Sequence, residues 1–413
     1  MRHKRRRSGP RWTGGRIARV GVAAVAALLL AWLAVRSSVV NGLARANPFV
    51  ADRIAHGDPR VAIELAMVEF ALRNGRVGPA SRARAERALD RAELADEPFL
   101  LAAVDAAAHG DAARSETLLT EARRRNPRDR LTRLLLLDRY LRTGRSAQAG
   151  TELAVLTQLI PQVEAALVPQ LLQLARDPKT RPGLALILKR NPSVRDLLLG
   201  TLAGNPADSG LVMELAAASG AGANPAAPPA WQSTLLNSLV GHGDFARAYA
   251  LWRGFLRQPA EDGPKGLYDG AFRGAPGAAP FNWSFASGSD GTVDRTPAPA
   301  LQVQYYGRGA VNLASQLLML RPGSYKLQLR AEGDAKGEGS ILSWTLSCAG
   351  SKAPIVRLPL KGIASAPRLL AAGFAIPAGC PAQWLRLEGS PGDVASEQDV
   401  TLSNLQLTGP AGS

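Results

Sequence analysis

The sequence is poor in the side chains that most often carry chemistry. It holds four histidines and two cysteines in 413 residues, and no histidine follows His242. It also lacks a Gly-x-Ser-x-Gly elbow, a phosphate-cradling glycine loop and any metal-ligand spacing. These gaps exclude the serine hydrolases, nucleotide-dependent enzymes and zinc enzymes that such motifs announce. No enzymatic activity and no cofactor are therefore expected. Two cysteines are too few for an iron–sulfur centre or a disulfide-rich scaffold. Cys348 and Cys380 lie close together near the C-terminus and read as one disulfide formed in an oxidising compartment. Acidic residues are missing from the first nineteen positions, "MRHKRRRSGPRWTGGRIAR", which contain eight Lys and Arg. About half of the formal charge of +16 is thus local, and it does not mark a nucleic-acid binder.

That basic segment, 1–19, precedes "VGVAAVAALLLAWLAV", sixteen apolar residues from Val20 to Val35 flanked by Arg19 and Arg36. Extended through "SSVV", the run predicts a single transmembrane signal-anchor over 20–40. The charge asymmetry predicts a cytoplasmic tail and a periplasmic body, anchored in a bacterial inner membrane. The competing reading is a cleaved signal peptide at Ala44-Arg45-Ala46.

From 48 to 257 the chain is rich in Ala, Leu and Arg with helical periodicity, interrupted by a Pro/Ala connector at 221–230. His-Gly-Asp occurs three times, at His56, His109 and His242, and histidine beside a carboxylate raises the question of an active site. However, Gly110, Gly144 and Gly75 fall in equivalent positions between helices, while their neighbours change. Only the glycine is common, so Gly75, Gly110, Gly144 and Gly243 read as structural turns, with the following Asp capping the next helix.

Gly110 to Gly144 spans 34 residues, as does Pro127 to Pro161. "PFLLAAVDAAAHGDAARSETLLTEARRRNPRD" aligned over "RLTRLLLLDRYLRTGRSAQAGTELAVLTQLIPQ" gives helix, Gly turn, helix and Pro stop twice. With Leu119, Ala122, Tyr140, Ala149 and Leu153 at the positions that pack between helices, this resembles the tetratricopeptide repeat family. The family's Trp-Leu-Gly is absent, Ala103 and Leu137 standing where its first Gly would be. The resemblance implies an α-helical solenoid that binds a protein partner.

A linker at 258–267 leads to 268–411, where short alternating runs between Gly and Pro turns predict an antiparallel β-sandwich. "YDGAF", "FNWSF", "RPGSYKLQLRAEG" and "LSNLQL", in that order, resemble jelly-roll domains of the carbohydrate-binding-module type. That implies a polysaccharide ligand held by exposed aromatics. Strand alternation turns Tyr305 inward with Leu301 and Val303, and groups Trp283, Tyr325 and Trp344 with apolar neighbours. It turns Tyr306 and Trp384 outward, with Gln304, Arg386 and Glu388 beside them as the candidate glycan face. Asp290, Asp294, Glu332 and Asp334 lie in turn-like segments. They are the acids from which a structural calcium site, or a glycan-modifying enzyme, would have to be built.

The combined expectation is a membrane-anchored, outward-facing, non-enzymatic scaffold. Its solenoid would bind a protein and its jelly roll a glycan, in assembly or export of a surface polysaccharide. The alternative is a protein-only envelope adaptor that binds no sugar.

Overall fold

The computed structural model describes residues 14–89, 94–160, 162–222, 227–256, 266–335 and 339–409. The expected basic tail, connector and linker lie wholly or partly outside them. The chain divides into two compact units, Met1–Pro161 and Gln162–Ser413.

The first unit is helical: α1 Gly14–Leu43, α2 Pro48–Ile54, α3 Pro59–Leu72, α4 Pro79–Leu89, α5 Glu97–Ala108, α6 Ala112–Arg125, α7 Arg130–Arg142 and α8 Ser146–Leu159. The transmembrane span expected over 20–40 is not supported. No helix among the described residues is long and apolar enough to cross a membrane. Beyond Arg36, Val40 and Ala44 are buried with Ala51, Ala55, Val61 and Leu65 of α2 and α3 and the turns beside them. The end of α1 thus packs on protein, and the inner-membrane, single-pass placement with a cytoplasmic N-terminus and periplasmic body falls with the span.

Helices α3 to α8 form three successive hairpins, each packed on the next. Gly110 ends α5 at φ +82°. Its N–H donates to Ala107 O and that of Asp111 to Ala106 O, at 3.0 and 2.9 Å, which is the Schellman pattern. Gly144 does the same after α7, where Arg145 N–H donates to Tyr140 O. The residues expected to pack between hairpins do so: Leu119, Ala122, Tyr140, Ala149 and Leu153 are all buried. A Cβ at Gly110 would meet nothing within 4 Å, so substitution acts through the backbone alone. Gly110→Ala is expected to lower stability by about 1–2 kcal/mol, whereas His109→Ala, an exposed side chain, should change little. Urea denaturation checks both, and equal losses for the two variants would contradict the turn assignment.

Buried and half-buried ion pairs join neighbouring hairpins. Glu152 on α8 is 1 % exposed and accepts from Arg123 of α6 and Arg133 of α7. Glu116 on α6 pairs with Arg139 and Arg145, and hydrogen bonding to Arg145 holds its carboxyl below the usual range. Asp96, at the start of α5, goes the other way. Burial, aided by Glu97 and Asp129, pushes its pKa up to about 6. A carboxyl that binds its proton more tightly when folded adds stability in full below its unfolded pKa and loses it as pH rises through 6. Wild type should therefore lose stability between about pH 4 and pH 7 relative to Asp96→Asn. Parallel pH profiles for the two proteins would contradict the assignment.

The second unit starts with α9 Val163–Arg176, α10 Arg181–Arg190, α11 Pro192–Ala203, α12 Ser209–Ser219, α13 Ala230–Gly241 and α14 Phe245–Phe255. Gly243, at φ +81°, makes the α13–α14 turn. Ten strands follow: β1 Ser284–Phe285, β2 Gly291–Arg295, β3 Ala300–Tyr305, β4 Val311–Leu318, β5 Gly323–Asp334, β6 Ile341–Cys348, β7 Pro354–Pro359, β8 Arg368–Ile376, β9 Gln383–Ser390 and β10 Gln398–Thr408. They form two antiparallel sheets, ordered β1-β4-β9-β6-β7 and β2-β3-β10-β5-β8. Strands β3 to β10 alone run 3-10-5-8 against 4-9-6-7, the wrapping of a jelly roll. Both sheets contribute to one core, with Val303, Tyr305, Leu329 and Leu402 from one and Leu313, Trp344, Leu385 and Leu387 from the other.

Two devices fix the entry to the sandwich. Asp269, with its side chain 3 % exposed, accepts from the N–H groups of Arg273, Gly274 and Ala275 and pins the loop that begins with "YDGAF". Trp252 of α14 is buried against Tyr268 and Phe281, with ring centroids 5.0 and 5.7 Å away. A Cβ at Gly277 would stand 3.2 Å from its Nε1. The last helices and the sandwich therefore share an aromatic seam.

A candidate ligand face on the sandwich

The three His-Gly-Asp copies are caps. Asp58, Asp111 and Asp244 accept from the backbone N–H groups of Arg60, Arg114 and Arg247. The rings of His109 and His242 hydrogen-bond through Nδ1 to Asp105 O and Ser238 O, one turn back in their own helices, and His56 pairs with Asp52. Among the described residues, no group of three or more His, Cys, Asp or Glu is placed to hold a metal. Of the loop acids, Asp290 lies between β1 and β2 and accepts from Ser289, and Asp294 is exposed on β2. Glu332 and Asp334 lie opposite Thr401 and Asp399 on β10.

The five residues of the expected glycan face do not form one patch. Gln304 is on the outer face of the sheet containing β3, paired in register with Asp399. Tyr306 follows the end of β3, half-buried, its N–H donating to Asp290 O. Trp384, Arg386 and Glu388 alternate with the inward Leu385 and Leu387 on β9, so they lie on the outer face of the other sheet. Inward-turned Tyr305 and Trp344 are fully buried, as alternation predicts. Trp283 and Tyr325 also pack on the core.

The two outer faces differ in what their polar groups do. On the β3–β10–β5 face the amides are engaged with one another. Gln302 and Gln304 donate to Asp399, Thr401 donates to Gln302, and Gln328 donates to Gln406.

Across β9, β6 and β7 the register puts Ser347 beside Trp384, Thr345 beside Arg386 and Ser343 beside Glu388. Arg357 lies on the far side of Thr345. Ser343, Thr345 and Ser347 are 3 %, 5 % and 6 % exposed. Small hydroxyl residues between larger flanking side chains form the floor of a trough. None of these three hydroxyls, nor the Trp384 indole N–H, Arg357 or Glu388, has a hydrogen-bond or ion-pair partner among the described residues. Arg386 has one contact, its guanidinium carbon 5.2 Å from the centre of the Trp384 ring.

Cys348 at the end of β6 and Cys380 before β9 form a disulfide with Cα atoms 5.5 Å apart. It closes the loop that contains β7 and β8. Sequence alternation found Trp384, Arg386 and Glu388. It also marks the hydroxyls of "ILSWTLSC", which alternate with Leu342, Trp344 and Leu346. Arg357 it does not reach, because a bulge between Leu346 and Ser347 shifts the β6–β7 register.

No family model and no curated protein matches the chain. Similar solved structures include one described as CBM4 structure and function, with 10 % identity over 35 % of this chain and 99 % of that one, at a TM-score of 0.27. Another is Family 16 Carbohydrate Binding Module-2, with 17 % identity over 30 % of this chain and 89 % of that one, at 0.23. A third is the CBM22-1 xylan-binding domain from Paenibacillus barcinonensis, with 14 % identity over 32 % and 88 %, at 0.24. At scores this low none of them bears on what this chain binds.

Proposed function

We propose that the chain is a non-enzymatic binding protein whose sandwich holds a polysaccharide on the β9–β6–β7 face. The observation that supports this is the row of unpartnered hydroxyls beside a half-buried tryptophan, whereas on the other sheet Gln302, Gln304 and Gln328 are bonded to their neighbours. Sugars offer hydroxyls for such a floor, and an apolar pyranose face for an indole. Arg386 packs against Trp384 and fixes its orientation, which leaves less side-chain freedom to lose on binding.

The helical hairpins, with the 34-residue spacing of tetratricopeptide-like repeats, form the protein-binding part of the same scaffold. A pocket of about 400 Å³ among Arg82, Glu86, Leu101, Asp105 and His109 supports that role. Affinity electrophoresis of the full chain through gels containing xylan, glucomannan, polygalacturonate or alginate tests the sugar reading. At least one polymer should retard the protein, and Trp384→Ala should weaken binding about tenfold or more, the scale of one lost aromatic contact. Retardation by none favours the protein-only adaptor, and retardation unchanged in Trp384→Ala removes the sugar site from the β9–β6–β7 face.

A further inference from the structure

We propose that the glycan bound on this face carries carboxylates, and that Arg357 and Arg386 grip one of them across Thr345; this rests on the sugar-binding reading above. Arg386, Thr345 and Arg357 are in register on three adjacent strands, β9, β6 and β7. Residues directly opposite one another in antiparallel strands point to the same side, so both guanidinium groups rise from one face. Two strand spacings separate their backbones by about 9.6 Å, within reach for two arginine side chains closing over the small Thr345. Neither has a carboxylate partner among the described residues. Arginines on the helices, by contrast, commonly do, as Arg123 and Arg133 on Glu152 illustrate.

The face also has one acid. Glu388 is two residues from Arg386 on β9, opposite Ser343, so the two cations share the row at Thr345 and the anion stands in the next row, at Ser343. That polarity suits an acidic sugar at Thr345, with a neutral ring, bonded through its hydroxyls, at Glu388 and Ser343. Guanidinium is the group best matched to a planar carboxylate, through two parallel N–H donors.

The test compares polygalacturonate and alginate with their carboxyl-reduced derivatives, by affinity electrophoresis of the full chain at low salt. The acidic form of at least one should bind about tenfold or more tightly than its reduced form. That ratio should fall toward one in Arg357→Gln and Arg386→Gln, and on adding NaCl. Arg357 is exposed and unpaired, so its variant is expected to fold, with unchanged thermal unfolding as the control. If acidic and reduced polymers bind equally and Trp384→Ala still abolishes both, the carboxylate assignment fails while the sugar reading stands. If no polymer binds, acidic or neutral, both fail.

Discussion

Replacing Glu152 with alanine should destabilise the helical unit by about 3–5 kcal/mol. Glu152 is 1 % exposed, and Arg133, which donates to it at 2.5 Å, is 9 % exposed. Removing the carboxylate leaves Arg133 buried with only its bond to Pro127 O, and the desolvation of that cation is no longer offset by its ion pair. Arg123, at 31 % exposure, can turn to water and should add less. Replacing Arg133 and Glu152 together with leucine should cost less than Glu152→Ala alone, because no unpaired charge remains in the core. Denaturant midpoints for the two variants and wild type decide this. A double variant at least as unstable as the single one would show that the loss comes from packing. Since the triad joins α6, α7 and α8, its loss should unlock the junction between the last two hairpins first.

The second large effect is expected in the sandwich. Cys348 and Cys380 are 32 residues apart in sequence, and opening a loop of that length should lower stability by about 3–4 kcal/mol in the chain-entropy description. The loop contains β7 and β8, each at the edge of its sheet, so those strands should loosen before the central ones. Arg357 is on β7. A Cys348→Ala, Cys380→Ala variant should therefore lose glycan affinity along with thermal stability, whereas a disulfide remote from the ligand face would affect stability alone. Full affinity retained in a protein that melts markedly earlier would remove β7 from the binding surface.

These effects also show which parts of the molecule the sequence reveals. Helix ends are local events. A glycine at positive φ followed by a capping Asp is complete within five residues, so Gly110 and Gly243 can be read without knowing what surrounds them. Strand alternation is local too, and it sorts Tyr305 from Tyr306 and Trp384 from Leu385. It tells inside from outside, but not which sheet a strand joins. For that reason Gln304 and Trp384, both turned outward by alternation, lie on different sheets in the fold. Arg357 is hidden by a bulge, a two-strand property invisible in either strand alone. The apolar run in α1 misleads in another way: its composition suggests a span, yet among the described residues no helix is long and apolar enough to cross a membrane, and the end of α1, at Val40, is buried against α2 and α3.

Sugar binding on the β9–β6–β7 face is open to a direct measurement, hydrogen exchange of the full chain with and without the best-retarding polysaccharide. Binding should slow exchange in peptides covering β6, β7 and β9, including Thr345, Arg357 and Trp384, and leave β3 and β10 unchanged. Protection of β3 and β10 instead, or no change in the sandwich while the polymer is bound, would contradict it.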